Sequence, residues 1–198
     1  MKEIVSREAL DRSLMSGERQ VATNVAEIDF WHVWRYQQAA DLVKPGETVI
    51  DFGCGIGYGT RLIAEKAGSV IGVDDSAETI EFAQENFGAE NVRFERASIE
   101  RLAPVEPLVD VSVAFEVIEH LQDPEPFLAL IKSITKRLFI ISVPHESVDL
   151  ALSPFHYRHY SEADAAALVT RAGFRIVTCE LKQFTKGKAV FCVGDRPC

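Results

Sequence analysis

The chain has 198 residues, of which 47% are hydrophobic and 26% charged, the balance of a folded soluble protein, and its length suits one domain that buries a core without staples. Twenty-one basic against 30 acidic residues leave a formal net charge of −9, which argues against a general nucleic-acid binder, because such affinity rests on Lys and Arg neutralising phosphates. The longest apolar stretches, such as 138–143, fall far short of the roughly 20 residues of a membrane span, and charges run through 1–10 where a signal peptide needs an apolar centre.

Residues 1–43 read as helical and end in a dense aromatic segment, Phe30, Trp31, His32, Val33, Trp34, Arg35, Tyr36. Pro45 and Gly46 then break the pattern. From there strands and helices alternate. Strands are predicted at 48–52, 69–73, 91–95, 109–115 and 138–143. Helices are predicted over about 59–67, from a Ser76 cap to Gly88, over 124–136, and from a Ser161/Asp164 capping box to Gly173. Two last strands, 174–181 and 188–193, are separated only by 182–187, too short for a parallel crossover and right for a hairpin. This order predicts an α/β fold: a doubly wound, mostly parallel seven-stranded sheet of Rossmann-like type, with an antiparallel C-terminal hairpin and N-terminal lid helices. One domain spans 1–198, with the lid at 1–43 and the core at 44–198.

The four cysteines, Cys54, Cys179, Cys192 and Cys198, contain no Cys-x-x-Cys pair, so no zinc knuckle or thioredoxin-like motif is present. Cys179 and Cys192 sit in apolar runs and are expected to be buried reduced thiols, consistent with a cytoplasmic location.

In doubly wound sheets ligands bind beyond the carboxyl ends of the strands, so the residues after each strand carry the functional reading. The first strand leads into Asp51, Phe52, Gly53, Cys54, Gly55, Ile56, Gly57, Tyr58, Gly59. Glycines in this alternation let a ligand approach the backbone closely. The dinucleotide fingerprint G-x-G-x-x-G fails in every frame, since the sixth position is Tyr58, Thr60 or Leu62. A nicotinamide or flavin oxidoreductase is thereby disfavoured. After the second strand, the Asp74 carboxylate is suited to a ribose diol, while Asp75 reads as an acid favoured at a helix start.

The runs 49–59, Gly72-Val-Asp-Asp-Ser76 and Glu116-Val-Ile-Glu-His-Leu121 resemble, in content and order, the class I S-adenosylmethionine-dependent methyltransferases, over about residues 31–193. The resemblance implies that Asp51, Gly53, Cys54 and Gly55 pass the methionine part of S-adenosylmethionine and that Asp74, flanked by Asp75, binds its ribose. Ser98, beside Ile99, stands where the family usually has an acid for the adenine amine. Phe115 and Glu116 fall in the region that the family packs near the cofactor. The segment 31–36 resembles the helix before the glycine loop in the branch associated with glycan and nucleotide-sugar methylation. That likeness implies Arg35 on the cofactor carboxylate and Tyr36 covering it; alternatively the aromatics simply pack as an amphipathic lid.

Methyl transfer to an alcohol or phenol needs a base, or a metal that lowers the hydroxyl pKa. Glu116, Glu119 and His120, at helical spacing, would share one face of a helical turn. Glu-x-x-Glu-His with a later histidine resembles two metal-dependent branches, the ubiquinone-pathway O-methyltransferases and the small-RNA 2′-O-methyltransferases. The metal set so implied is Glu116, Glu119, His120 and His159, holding Mg2+ or another divalent cation. Without metal, His120 is the candidate base, with Glu119 beside it and His145 second. The long connection 144–160, rich in His, Pro and aromatics, is expected to form the acceptor wall.

The sequence therefore reads as a cytoplasmic methyltransferase that O-methylates a small hydroxylated acceptor such as a sugar or glycan precursor. Its partners would be that acceptor, with no nucleic acid and no membrane, in a monomer or homodimer. The alternatives are a quinone-type phenol or an RNA 2′-hydroxyl methylated with a Glu/Glu/His-bound metal, and a non-catalytic S-adenosylmethionine-binding module.

Overall fold

The computed structural model describes residues 21–99, 109–145, 156–184 and 187–197. Seven strands form one sheet: β1 (Thr48–Phe52), β2 (Ser69–Asp74), β3 (Val92–Arg96), β4 (Val109–Phe115), β5 (Thr135–Pro144), β6 (Arg175–Phe184) and β7 (Gly187–Asp195). Their spatial order is β3-β2-β1-β4-β5-β7-β6. The first five pair in parallel, and β7 runs antiparallel to both β5 and β6. Strand order reverses between β1 and β4, the place where an open α/β sheet leaves a crevice beyond its carboxyl ends.

Two apolar cores lie on the two faces, and side-chain alternation along each strand feeds both. In β5, Leu138 and Ile140 join one core while Phe139, Ile141 and Val143 join the other. Helices α1 (Phe30–Leu42), α2 (Tyr58–Ala64) and α3 (Ala77–Phe87) cover the first face. Helices α4 (Glu125–Ile134) and α5 (Glu162–Arg171) cover the second. The expected doubly wound, Rossmann-like architecture is present. Among the described residues no helix is long and apolar enough to cross a membrane.

Local signals placed most boundaries. Ser76 caps α3 by accepting from the Thr79 amide, and Gly88 ends that helix. Ser161 and Asp164 form the expected capping box on α5. Three expectations need correction. Within 21–43 the chain is not continuously helical: a 3-10 turn (Val25–Glu27) and an extended Ile28 precede α1, and the rest of the expected lid, 1–20, lies outside the described residues. The helix expected over 124–136 ends at Ile134 because β5 starts directly at Thr135, where pairing with Val109 captures the backbone. Cys179 and Cys192 are not reduced thiols. The hairpin register sets them opposite one another on β6 and β7, and they form a disulfide. Register is invisible in apolar runs read singly, and the disulfide removes the thiol count as an argument for a reducing compartment.

Candidate functional site

The glycine loop leaves β1 at the strand-order reversal. Gly53, Gly55 and Gly57 all have positive φ, which L side chains rarely adopt. At Gly55 (φ +55°) a Cβ would meet nothing within 4 Å, so the loop is open there, a cradle that a side chain would fill. Gly59, by contrast, is demanded by packing: a Cβ there would run into the Tyr36 ring, which brings α1 down onto α2.

Two acids frame this loop. Asp51 is fully buried, accepts from the Thr60 hydroxyl at 2.6 Å, and lies 3.4 Å from the Tyr36 hydroxyl. Burial pushes its carboxyl up to about 7; hydrogen bonds from Thr60 and Tyr36 and the Arg35 charge oppose that rise, while Asp74 adds to it. Asp74, 5% exposed, accepts from the Gly55 amide at 3.1 Å and from the Ser76 amide at 3.0 Å. It therefore holds the loop and the start of α3 together. Asp75 is exposed, and its carbonyl accepts from Arg96 at 3.0 Å. Ser98 and Ile99, both half-buried, follow β3 at the same edge, where the Ala97 amide donates to the Asp74 carbonyl. Cys54 is buried, and burial, with the charges of Asp51 and Asp74, raises its thiol well above the usual range, so it stays protonated.

Across the crevice, α1 delivers Arg35, which is 4% exposed and 3.2 Å from Glu116. Burial works against the guanidinium charge, but Glu116, Tyr58 and Tyr36 more than restore it. The guanidinium stacks near Trp31 and Phe115, and its Nε is buried without a hydrogen-bond partner. Glu116 also accepts from the Ser142 hydroxyl at 2.8 Å. It holds φ +54°, a conformation that costs energy in any residue but glycine and persists only where neighbours enforce it. Here the pair with Arg35 and the two hydrogen bonds to Ser142 do so.

That backbone overturns the expected shared face of Glu116, Glu119 and His120. The helical turn is only a 3-10 turn (Ile118–His120), preceded by Val117 at φ −127° and by Glu116 in the left-handed region, so helical spacing does not apply. Among the described residues the group able to share an ion comprises Glu119, His120 and His156, with donor atoms within 4.8 Å of one another. Glu116 and His159 are outside it. His159 stays close, its ring centroid 6.1 Å from that of His156. His145 directly follows β5, with Nδ1 3.3 Å from the Tyr160 carbonyl. A carbonyl can only accept, so this contact favours a proton on Nδ1 and leaves Nε2 basic. Most of the expected acceptor wall, 146–155, lies outside the described residues.

Sequence reasoning missed Thr60, Ser142 and His156. Thr60 and Ser142 are ordinary in a sequence and gain a role only because the strands and α2 bring them to Asp51 and Glu116. His156 lies in the His-rich segment already singled out, where His159 was preferred without a register to decide.

A sequence model described as a methyltransferase domain matches residues 43–183. A probable S-adenosylmethionine-dependent methyltransferase of Mycolicibacterium smegmatis is 32% identical over 172 residues, covering 82% of this chain and 65% of that protein. A ubiquinone biosynthesis O-methyltransferase of Hahella chejuensis is 32% identical over 96 residues, 46% of this chain and 40% of its own. In shape the chain is similar to magnesium protoporphyrin IX methyltransferase of Synechocystis solved with bound SAH: TM-score 0.68, 22% identity, 94% of this chain and 92% of that one. The chain belongs to the S-adenosylmethionine-dependent methyltransferases. It spans just under two thirds of the length of the first of these curated relatives.

Proposed function

We propose that the chain transfers the methyl group of S-adenosylmethionine to a hydroxyl of a small, neutral acceptor, with a sugar or glycan precursor ranked before a quinone-type phenol. One observation carries the cofactor reading: the open cradle at Gly55 lies between two buried acids, Asp51 and Asp74, a setting that a cationic ligand with a ribose diol complements. Asp74 accepts from the diol, and Gly53, Gly55, Cys54 and Asp51 line the methionine part. Arg35, whose Nε lacks a partner, takes the cofactor carboxylate beneath Tyr36 and Phe115. Glu116 holds Arg35 in place, while Ser98 and Ile99 lie where the adenine would rest.

S-adenosylmethionine supplies a methyl group on a sulfonium, displaced in line, so the chain contributes mainly position. The acceptor proton goes to His145, whose Nε2 is left basic, or to His120 on the turn after β4. A divalent cation on that turn is the other way to activate the hydroxyl. The partial likeness to a ubiquinone biosynthesis O-methyltransferase supports oxygen as the methylated atom.

Calorimetry with S-adenosylhomocysteine and with NADH tests the cofactor, and a turnover screen over sugars, phenols and short RNAs tests the acceptor. Binding of the nucleoside and methylation of a neutral hydroxyl is the expected result. Tight NADH binding without a response to S-adenosylhomocysteine overturns the reading, and nucleoside binding without any turnover makes the chain a silent cofactor-binding module.

A further inference from the structure

We propose that a cavity of about 380 Å³ lined by the start of α4, the segment 158–160 and α5 binds one ring of a neutral oligosaccharide acceptor, the ring next to the one whose hydroxyl is methylated. Small-molecule sites commonly enclose roughly 300–1,000 Å³, so a sugar ring fits this space. The place in catalysis rests on the methyl-transfer reading; the binding itself does not.

The walls are held before any ligand arrives. The Tyr157 amide donates to the Glu119 carbonyl at 2.9 Å, and Arg158 donates to the Gln122 carbonyl at 2.7 Å, so the segment before α5 is fastened to the turn after β4. Arg171 of α5 pairs with Glu125 of α4. Asp123 accepts from the Glu125 amide at 3.0 Å, and Asp164 belongs to the capping box of α5. Groups already fixed lose little freedom when they bind.

The lining selects the chemistry of the ligand. Asp123, Glu125 and Asp164 stand beside Arg158 and Arg171 around one small space. A carboxylate has about four lone-pair sites, so the helix-capping bonds leave Asp123 and Asp164 with acceptor capacity. A sugar hydroxyl both donates and accepts, and so answers carboxylates and guanidinium groups alike. Carboxylates outnumber guanidinium groups here, which repels phosphate and other anions. An apolar ligand would strip water from all five charges and return nothing. Tyr160 lines the same space at 6% exposure. No hydrogen bond of good geometry reaches its buried hydroxyl, although it feels the charges of Arg158 and Glu119. A ligand hydroxyl would relieve that cost.

Both candidate bases adjoin the segment that lines the cavity. His145 meets it at the Tyr160 carbonyl, 3.3 Å from Nδ1. His120 meets it through His156 and then His159, with ring-centroid steps of 4.8 Å and 6.1 Å. A ring seated in the cavity therefore presents its neighbour to the bases, and binding energy from the seated ring positions the reacting one.

The test measures saccharide affinity by saturation-transfer NMR, with and without S-adenosylhomocysteine, for glucose, galactose and mannose and for the disaccharides maltose, lactose and mannobiose. At least one disaccharide should bind about tenfold or more tightly than its single sugar, from two or more added hydrogen bonds. Ala167 is an exposed residue of α5 that lines the cavity. Ala167→Trp fills the space and should abolish the disaccharide gain, with single-sugar and S-adenosylhomocysteine affinities retained. Tyr160→Phe should reduce the gain by about three- to tenfold. Equal affinity of every disaccharide and its single sugar in the wild type, or the full gain in Ala167→Trp, overturns the site. Displacement of the disaccharide by low-millimolar inorganic phosphate also overturns it, since the cavity would then be an anion site. If Ala167→Trp misfolds by circular dichroism, Tyr160→Phe decides, and an undiminished gain there refutes the proposal. Loss of S-adenosylhomocysteine binding by the wild type would instead sink the methyl-transfer reading and leave the saccharide result standing.

Discussion

Asp51 holds the most displaced acid near the cradle, and the direction of its shift has a definite consequence. An ordinary aspartate titrates at about 4 in an unfolded chain. Burial lifts the folded value to about 7, so between those limits the folded state binds the proton more tightly. The contribution of this group to stability is therefore fully present below about pH 4 and is lost as the pH rises through 7. Compared with Asp51→Asn, the wild type should lose urea resistance between pH 5 and pH 8, and parallel stability curves for the two proteins would refute the assignment. Asp74 is different: its carboxylate already accepts two amides, and the proposed reading has it accept from a ribose as well. Hydrogen bonds to a charged acceptor contribute about 1.5–3 kcal/mol, so Asp74→Ala should weaken S-adenosylhomocysteine roughly ten- to a hundredfold. Asp74→Asn, which keeps one oxygen acceptor, should lose less; equal affinities for wild type and Asp74→Ala would remove the ribose role. The places of Asp51, Gly55 and Asp74 were legible in the sequence because they follow from where β1 and β2 end. His156 was not, because its partners depend on how two distant segments dock.

At the scale of elements, legibility followed the range of the forces. Capping is local: Ser161 and Asp164 announced α5 three residues apart, and the structure has both halves of the box. Ser161→Ala should cost about 1 kcal/mol of stability, measured by urea unfolding; no loss would mean that tertiary packing alone fixes the start of α5. Long-range pairing gave the corrections. β5 begins three residues before its apolar run because pairing with β4 extends it, and the β6–β7 hairpin reaches nearer its tip than the apolar pattern suggested. That extension matters for α1. Phe184, near the hairpin tip, lies 4.2 Å from Trp31 and 5.6 Å from Trp34 in ring-centroid distance, and Phe191 lies 5.4 Å from Trp34. The aromatic segment of α1 thus grips the hairpin and in doing so fixes Arg35 over the crevice. The tryptophans of that segment pack against the hairpin, while its arginine faces Glu116.

For the whole molecule, the order of strands decides where chemistry can happen. Reversal between β1 and β4 brings the glycine loop and the Glu119–His120 turn to one sheet edge, which is where the proposed reading puts cofactor and acceptor. Alternating strands and helices made this topology legible, because parallel crossovers of one hand leave few other arrangements. The acceptor was less legible, since the segment expected to wall it, 144–160, carries no periodic pattern. Charge narrows it. With a formal net charge of −9, long-range electrostatics repel a polyanion and leave a neutral molecule unaffected. Screening at 0.5 M salt shortens the reach of such fields to about 4 Å, against about 10 Å at 0.1 M. Turnover of a neutral sugar or phenol acceptor should therefore change less than about twofold between those salt concentrations. An RNA acceptor bound through Lys and Arg contacts would instead lose affinity steeply as salt rises. Kinetics of kcat/KM against salt separate the two, and a steep fall with the true acceptor would mean that a local basic patch outweighs the net charge.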